Sequence, residues 1–417
     1  MQNKKKFKTL PEAALAGNIT SVKSLLKAGA DINKQDKNGN TALINAARYG
    51  HDIIVRLWLK RKNDAKTKKR TNLIAAKSYA IVDLLLKNKA AVNIQNKNGR
   101  TALKEATLYH KDTTIVRSLL EAGADVNLQD KDGYTALMYT NDVIAKLLIK
   151  AKADLDLRDK NGCTALMDTE NPVIAKILIK AGANVNLHNH TGLTALMHDH
   201  HNDTIVPLLL KAGADTDAQD ENGKTALMHK VWNDSDIKEL IEAGADVHIK
   251  DKNNNTALMH AAMTDSDKAV QLLIEAGADV NTRNDREETA LMLTILDEKS
   301  RKNRDVTIVR LLLEAGADAD NDDNNGRTPL MLAIKLGKEK IVKLLIKAKA
   351  DVNEQDCWGN TALMHATKQG NDKIVDLLLK AKADISLKNE NKKTALEIAK
   401  ALEINIRKII ASLSTQR

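Results

Sequence analysis

Side chains that can bind metals or exchange protons recur at one position of this sequence. His198, His229, His260 and His365 each stand four residues after a threonine, within segments that read TALMH. Zinc needs its nitrogen ligands at about 2.0–2.1 Å, whereas equivalent positions on packed neighbouring helices lie about 8–10 Å apart. One ion cannot bridge two of these histidines, and we therefore expect them to pack and to form hydrogen bonds inside the protein.

Two denser clusters also have the composition of metal sites. The first comprises His188, His190, His198, Asp199, His200 and His201, and it lacks a zinc-binding spacing such as HExxH. The second comprises Asp318, Asp320, Asp322 and Asp323. Read as an EF-hand loop, it has aspartate at the sixth position, where glycine is needed, and Pro329 at the twelfth, where glutamate belongs. We predict no metal site and no cofactor.

The sequence also lacks the common catalytic motifs. It contains neither a phosphate-binding GxxxxGK[ST] loop nor a GxSxG nucleophile elbow. Its many Asp, His and Thr residues occupy repeated positions, and no nucleophile with a base and an orienting group can be assembled from them. We predict that the protein is not an enzyme.

The elements that carry these side chains are visible in residues 251–283. Thr256 can cap a first helix through its hydroxyl, and an apolar run that includes Val270 predicts a second helix. Gly277 stands where that helix must end, since glycine enters the left-handed conformation at little cost. The residues ADVN and the turn after them form an extended finger that leads into the next copy.

This unit recurs along the whole chain at intervals of 29 to 39 residues. The capping positions are Lys8, Thr41, Thr71, Thr101, Thr135, Thr164, Thr194, Thr225, Thr256, Thr289, Thr328, Thr361 and Thr394. A unit of two helices cannot bury its apolar face alone, so neighbouring copies must share a core. The pattern predicts an all-α repeat, a solenoid of about 13 helix-turn-helix units with short hairpin fingers.

The pattern D-x-x-G-x-T-A-L-M-x-A, followed by V-x-L-L-L-x-A-G-A-D-V-N, resembles the ankyrin repeat. Asp36, Gly39, Thr41, Leu43 and Ala46 show it well; the TPL form of the family appears at Thr328, Pro329 and Leu330. The resemblance implies paired antiparallel helices with protruding fingers, and a concave face that binds other proteins. It leaves the partner open.

We expect one array over residues 1–417, with an N-terminal cap repeat at 1–35, internal repeats at 36–388 and a C-terminal cap repeat at 389–417. Repeat three is short between its helices, and repeats five to eight should have shortened first helices. Pro172 fits a first turn, whereas Pro207 is expected to distort its helix. Lysine replaces the helix-ending glycine at Lys62, Lys89, Lys152, Lys349 and Lys382.

Charge is distributed unevenly along the sequence. The net charge is +10, yet residues 1–100 contain 22 Lys and Arg against 6 Asp and Glu. A basic patch comprises Lys60, Arg61, Lys62, Lys66, Lys68, Lys69 and Arg70. Such a patch attracts acidic partners, so we predict a protein partner with an acidic surface.

Exposed aromatic and arginine side chains are the usual anchors of protein interfaces. Our candidates for partner contacts are Arg48, Tyr49, Arg100, Tyr134 and Trp358. Trp58 replaces a core leucine and is expected to be buried. Incidental exposure or local packing is the simpler explanation for each candidate.

We therefore predict a monomeric, non-enzymatic scaffold that binds a protein partner through its finger tips and its concave first-helix face. The alternative is an electrostatic binder of nucleic acid or of an anionic membrane through the first three repeats. Few aromatics for base stacking, no recognised nucleic-acid module and no visible amphipathic anchor or lipidation motif make that alternative the weaker one. The two cysteines indicate no disulfide framework. We expect a cytoplasmic protein; the resemblance to long ankyrin proteins of bacteria and viruses also admits a host-directed effector, secreted by a non-classical route.

Overall fold

The computed structural model describes residues 7–49, 65–109, 113–198, 204–264, 266–297 and 304–401, with the backbone alone at 65–72, 109 and 304. The chain forms two compact units, Met1–Ala214 and Asp215–Arg417. Apart from two isolated bridges in the fingers, the regular structure of the described residues is helical.

The predicted caps explain where the first helices begin. The Oγ1 atom of Thr41 accepts the Ile44 N–H at 3.2 Å, and Thr256, Thr289, Thr328 and Thr361 cap their helices in the same way. In the first repeat, however, Thr9 is the N-cap and not Lys8. A hydroxyl can accept the orphan N–H, whereas the ammonium of lysine cannot.

The first unit contains the helices that we number α1 to α10. They are α1 Leu10–Leu15, α2 Ile19–Lys27, α3 Ala42–Arg48, α4 Ala65–Lys87, α5 Ala102–Tyr109, α6 Thr113–Glu121, α7 Asp142–Lys150, α8 Ala165–Asp168, α9 Pro172–Lys180 and α10 Ile205–Lys211. First helices pack on first helices, as α1 on α3 and α3 on α5. Leu10, Leu43 and Leu103 are buried in this shared core.

The second unit contains helices α11 to α21. They are α11 Ala226–His229, α12 Asp234–Glu242, α13 Ala257–Met263, α14 Asp267–Glu275, α15 Ala290–Leu296, α16 Arg304–Glu314, α17 Pro329–Lys335, α18 Glu339–Lys347, α19 Ala362–Gln369, α20 Asp372–Lys380 and α21 Ala395–Ala401. Successive first helices again pack together, α13 on α15 and α15 on α17. Leu258, Leu291 and Leu363 fill the core between them.

Repeat three does not have the predicted two helices. Helix α4 is continuous from Ala65 to Lys87, so Thr71 lies inside it and does not cap a helix. This segment contains no glycine or proline that would break it. Consistently, the finger of repeat two bonds directly to that of repeat four, through Lys97 N–H and the Asn38 carbonyl at 3.0 Å.

Repeats five to eight have short first helices, as predicted, and two are shorter than expected. Helices α8 and α11 have four residues each, whereas the segments after Thr135 and Thr194 form only a turn. Pro172 begins α9 as its first residue. Pro207 does not distort α10, because that helix begins at Ile205 and the proline falls in its first turn.

Four of the five predicted lysine replacements lie in the left-handed region, with φ of 61° at Lys89, 62° at Lys152, 67° at Lys349 and 66° at Lys382. The fifth, Lys62, lies outside the described residues, as do Trp58 and most of the insertion before α16. The repeat geometry therefore holds lysine in a backbone conformation that favours glycine.

Candidate protein-binding site

The fingers are rigid turns that bond to one another within each unit. In the finger of repeat five, the Oδ1 atom of Asp130 accepts the N–H groups of Asp132 and Tyr134, both at 3.0 Å. The side chain of Gln129 donates to the Gly133 carbonyl and to the Arg158 carbonyl of the next finger, at 2.6 and 2.7 Å. Because its ends and its neighbours are bonded, a finger presents its side chains in a fixed geometry.

A second contact, found in repeats two, eight, nine and twelve, joins the finger to its first helix. The finger carboxylate is bonded to the side chain nine residues later, which we call the ninth position. The Nε2 atoms of His229, His260 and His365 lie 2.9, 2.8 and 2.8 Å from the finger carboxylates. The prediction that the histidines form internal hydrogen bonds is confirmed for these three. In repeat two the same bond is made by the Nδ2 atom of Asn45, 3.2 Å from Asp36.

Repeats four to six of the first unit depart from this pattern. Their ninth positions hold Glu105, Tyr139 and Asp168. An acid, a phenol and an acid thus stand where repeats two, eight, nine and twelve carry the imidazole or amide that bonds the finger, and where repeats ten, eleven and thirteen carry leucine or isoleucine. The residues of this row, together with Arg100 and Tyr134, form the candidate site.

Tyr139 and Tyr134 make an aromatic pair at the centre of the row. Their ring centroids are 4.8 Å apart, with the planes inclined by 52°. The ammonium of Lys104 lies 5.6 and 5.5 Å from the two centroids, within the range of a cation–π contact. Tyr139 is 38% exposed, so a partner can reach it.

Lys104 is buried and is held by oxygen atoms of the next finger. Its Nζ atom lies 2.6 Å from Oδ2 of Asp130 and donates to the Tyr134 carbonyl at 2.5 Å. Burial lowers the pKa of Lys104 by more than Asp130 raises it. The ion pair and this hydrogen bond hold Lys104 against the backbone of Tyr134, next to the aromatic pair.

Arg100 joins the aromatic pair to the neighbouring acid of the row. Its guanidinium lies 3.8 Å from Glu105 and 3.9 Å from Asp130, and its side chain is about one-third exposed. Burial raises the pKa of Glu105, while Arg100 and Arg48 act in the opposite direction. One predicted contact residue, Arg100, therefore lies against a buried carboxylate, and another, Arg48, is half-buried at the end of α3.

Asp168 completes the row beside the aromatic pair. Its side chain is exposed, yet partial desolvation of the carboxyl by the surrounding residues raises its pKa. The negative charge of the finger residue Asp159 raises this pKa further, and a hydrogen bond with the Cys163 thiol acts in the opposite direction. Asp168 in turn raises the pKa values of Tyr134 and Tyr139 as a lesser cause, after burial. Among the described residues, neither Asp159 nor Asp168 has a cation within ion-pair distance.

His198 also differs from the other histidines, because its finger residue is Asn189. Its Nε2 atom lies 3.9 Å from the sulfur of Cys163, to which Asn189 donates at 3.6 Å. Burial raises the pKa of the Cys163 thiol, so this arrangement does not activate a thiolate. Within the described ranges, no three His, Cys, Asp or Glu side chains could hold a metal ion; Asp199, His200 and His201 lie outside them.

The other predicted contact residues are placed as follows. Tyr49 is buried, 9% exposed, close to the backbone of Gly17. Trp358 is 51% exposed at its finger. Its backbone N–H donates to Asp356, and its backbone carbonyl accepts the Glu390 N–H. Lys60, Arg61 and Lys62 lie outside the described residues, and Lys66, Lys68, Lys69 and Arg70 belong to α4, where only the backbone is described.

Sequence reasoning missed three residues that the structure singles out. Trp232 is 73% exposed between α11 and α12, and Tyr139 and Asp168 form the row described above. In the sequence Tyr139 and Asp168 stand four positions after a threonine, where four other repeats have histidine, but only the structure shows that this position can bond the finger. No helix in the described part of the chain is long and apolar enough to cross a membrane.

The fold and the site together define an all-helical repeat protein with rigid fingers and an exposed ninth-position row. The sequence model of the family "Ankyrin repeats (3 copies)" matches residues 10–96, 73–159, 165–251, 197–284, 231–300, 282–356, 298–389 and 348–413. The chain belongs to the ankyrin repeat family. Members of this family are in general protein-interaction scaffolds without catalytic activity, and the repeats of this chain form a scaffold of that kind for protein–protein interaction.

Two similar proteins illustrate the relationship. The nuclear factor NF-kappa-B p105 subunit of Gallus gallus is 35% identical over 101 residues, which cover 22% of this chain and 10% of that protein. The chain therefore matches about a tenth of the length of that relative. The crystal structure of the ankyrin repeat domain of Bcl-3, described as a member of the IkappaB protein family, is 29% identical. It covers 53% of this chain and 96% of its own, with a TM-score of 0.47.

Proposed function

We propose that the protein binds a protein partner on the ninth-position row of its first unit, centred on Tyr139 and flanked by Arg100 and Tyr134. The exposed ring of Tyr139, paired with Tyr134 over Lys104, is the observation that supports this proposal. Aromatic and arginine side chains in a fixed, partly buried setting are the usual hot spots of interfaces.

The fixed geometry of the row favours binding energetically. Association costs about 0.5–1.5 kcal/mol for each flexible side chain that must be ordered. Here the ring of Tyr139 already packs against Tyr134, and Arg100 already lies between two carboxylates. Little ordering therefore remains to be done when a partner binds.

The test is affinity capture by the full-length chain, compared between the wild type and Tyr139→Ala. Tyr79 is a matched control, because it is 37% exposed in α4 and lies outside the row. We expect Tyr139→Ala to lose its specific partners and Tyr79→Ala to keep them, with unchanged circular dichroism for both. Retention of the same partners by Tyr139→Ala would refute the proposal.

A second candidate surface is the finger of Trp358 in the second unit. The indole is exposed on a turn that is bonded to both adjacent fingers, and most other fingers carry short polar side chains at this position. Trp358→Ala should remove a separate set of contacts if this finger binds a partner. Capture that is unchanged by Trp358→Ala would exclude this candidate.

An acidic partner region for the basic first hundred residues, a monomeric state, a cytoplasmic location and a host-directed role stay predictions. Binding of nucleic acid or of an anionic membrane is the alternative for the basic patch. That alternative requires affinity to fall linearly with the logarithm of salt concentration, irrespective of the sequence of the nucleic acid. A partner that is retained specifically at high salt would contradict it.

A further inference from the structure

We infer that the place beside Tyr139 and Asp168 receives a positively charged side chain, arginine or lysine, from the partner protein. This inference rests on the proposed function and specifies the chemistry of the same row. The partner region expected here is positively charged, whereas the region predicted to bind the basic patch is acidic. The two surfaces would therefore contact differently charged parts of a partner.

The first step of the argument is the replacement at the ninth position of repeat six. In the second unit, His260 donates to the finger carboxylate of Asp251 at 2.8 Å. In repeat six the finger residue is Asp159, and the ninth position is Asp168. Two carboxylates therefore occupy the positions at which repeats two, eight, nine and twelve pair an acid with an imidazole or amide. A neutral thiol, that of Cys163, is the side-chain donor that acts on Asp168.

The second step is the charge balance around the row. Lys104 lies against Asp130, Arg100 lies between Asp130 and Glu105, and Lys160 lies 3.8 Å from Asp132. Once these cations are assigned, Asp159 and Asp168 are left without a cation among the described residues. Neighbouring carboxylates raise each other's pKa, and an incoming cation would relieve that repulsion.

The third step concerns the solvent exposure of Asp168 and the aromatic ring of Tyr139. Asp159 is buried, whereas Asp168 and Tyr139 are exposed. Tyr139 holds the ninth position of the preceding repeat, so a cation that approaches Asp168 from solvent also comes near its ring, whose electrons attract positive charge. A carboxylate next to an aromatic face suits a guanidinium or an ammonium group, and it repels a phosphate or a carboxylate.

Peptides provide the test. A random dodecapeptide library is first depleted on immobilised full-length Tyr139→Ala, and peptides that bind the full-length wild type are then selected and synthesised. Their Arg and Lys residues are replaced one at a time by citrulline or acetyl-lysine, which remove the charge and keep most of the shape. Binding is measured by calorimetry to the wild type, to Asp168→Asn and to Glu121→Gln. Glu121 is an exposed acid in α6 and serves as the control.

We expect the selected peptides to carry at least one Arg or Lys whose neutral replacement lowers the affinity at least tenfold. Asp168→Asn should cause a similar loss and Glu121→Gln none. The two losses should not add, because they remove the same contact. The thermal midpoint of Asp168→Asn should be no lower than that of the wild type, which excludes unfolding as the cause.

Peptides that require Tyr139 but are indifferent both to charge removal and to Asp168→Asn would overturn this inference and leave the proposed function intact. A selection that yields no peptide dependent on Tyr139 would contradict both proposals.

Discussion

The Nε2 atom of His260 lies 2.8 Å from the Oδ2 atom of Asp251, and this bond ties a first helix to the finger that precedes it. The finger carboxylate is further held by two backbone N–H groups, those of Asn253 and Asn255, both at 2.9 Å. Because the finger carboxylate is bonded both to the backbone of the finger and to the first helix, the side chains beside it are held in place. The same two positions in repeat six hold two acids, which is why the row there differs in its chemistry.

Replacing His260 by alanine should destabilise the second unit. The change removes the shorter of two side-chain bonds to Oδ2 of the buried Asp251 and leaves only that from Nδ2 of Asn255 at 3.4 Å, which should cost about 1 kcal/mol. Urea unfolding followed by circular dichroism measures the loss. His248→Ala is the control, because His248 is exposed and its replacement should have little effect. Equal stability of the two variants would mean that the bond contributes nothing to stability.

Acidification should weaken the second unit through the same pair. Burial lowers the pKa of His260, although Asp251 acts in the opposite direction. The unfolded chain then binds a proton more readily than the folded one, so the free energy of unfolding falls as the pH drops below about 6.5, the ordinary value for histidine. Backbone N–H groups and His260 outweigh burial and lower the pKa of Asp251, which adds a further loss through the carboxylate range.

The pH dependence is checked by comparing the wild type with His260→Leu in urea unfolding from pH 7.5 to pH 5. The variant should be less stable at pH 7.5 and should lose less stability as the pH falls. Parallel curves for the two proteins would contradict the assignment of the titration to His260.

Asp168→Asn should stabilise the first unit at neutral pH. Partial desolvation and the charge of Asp159 raise the pKa of Asp168, so its ionised form opposes folding at pH above that raised value. Removing the charge should increase the free energy of unfolding by roughly 0.5 kcal/mol, the scale of a like-charge pair. The gain should shrink as acidification protonates Asp168 in the wild type. Urea unfolding at pH 7 and pH 4 measures it, and a destabilised variant would show that the carboxylate has a structural role.

Lys152→Gly should stabilise the first unit by about 1 kcal/mol, because Lys152 has φ of 62° in the region that favours glycine. Lys150→Gly, two residues earlier at the end of α7, is the paired control. It should cost up to about 1 kcal/mol, because glycine weakens a helix. Thermal unfolding distinguishes the two, and a loss of stability in Lys152→Gly would indicate that the lysine makes a favourable contact.

The sequence alone predicted the repeats, the caps of the full-length first helices and four left-handed lysines, because each depends on residues close together in the chain. Thr256 and Lys152 illustrate such local rules. Thr164 and Thr225, also predicted as caps, make no capping hydrogen bond in their four-residue helices. The continuous helix α4 was missed, since the position of Thr71 indicated a cap while the residues around it lacked any helix breaker. The row of Tyr139 and Asp168 was missed for another reason. Whether a ninth-position side chain bonds the finger depends on its distance from the finger carboxylate. Only the three-dimensional structure gives that distance.

Site-specific photo-crosslinking tests most directly whether the row of Tyr139 binds a partner. The photoreactive residue p-benzoylphenylalanine is introduced in place of Tyr139 or, as the control, in place of Tyr79 in the full-length chain. The account predicts discrete crosslinked protein partners from position 139 and none of the same species from position 79. Absence of crosslinks at position 139, or the same crosslinks from both positions, would contradict it.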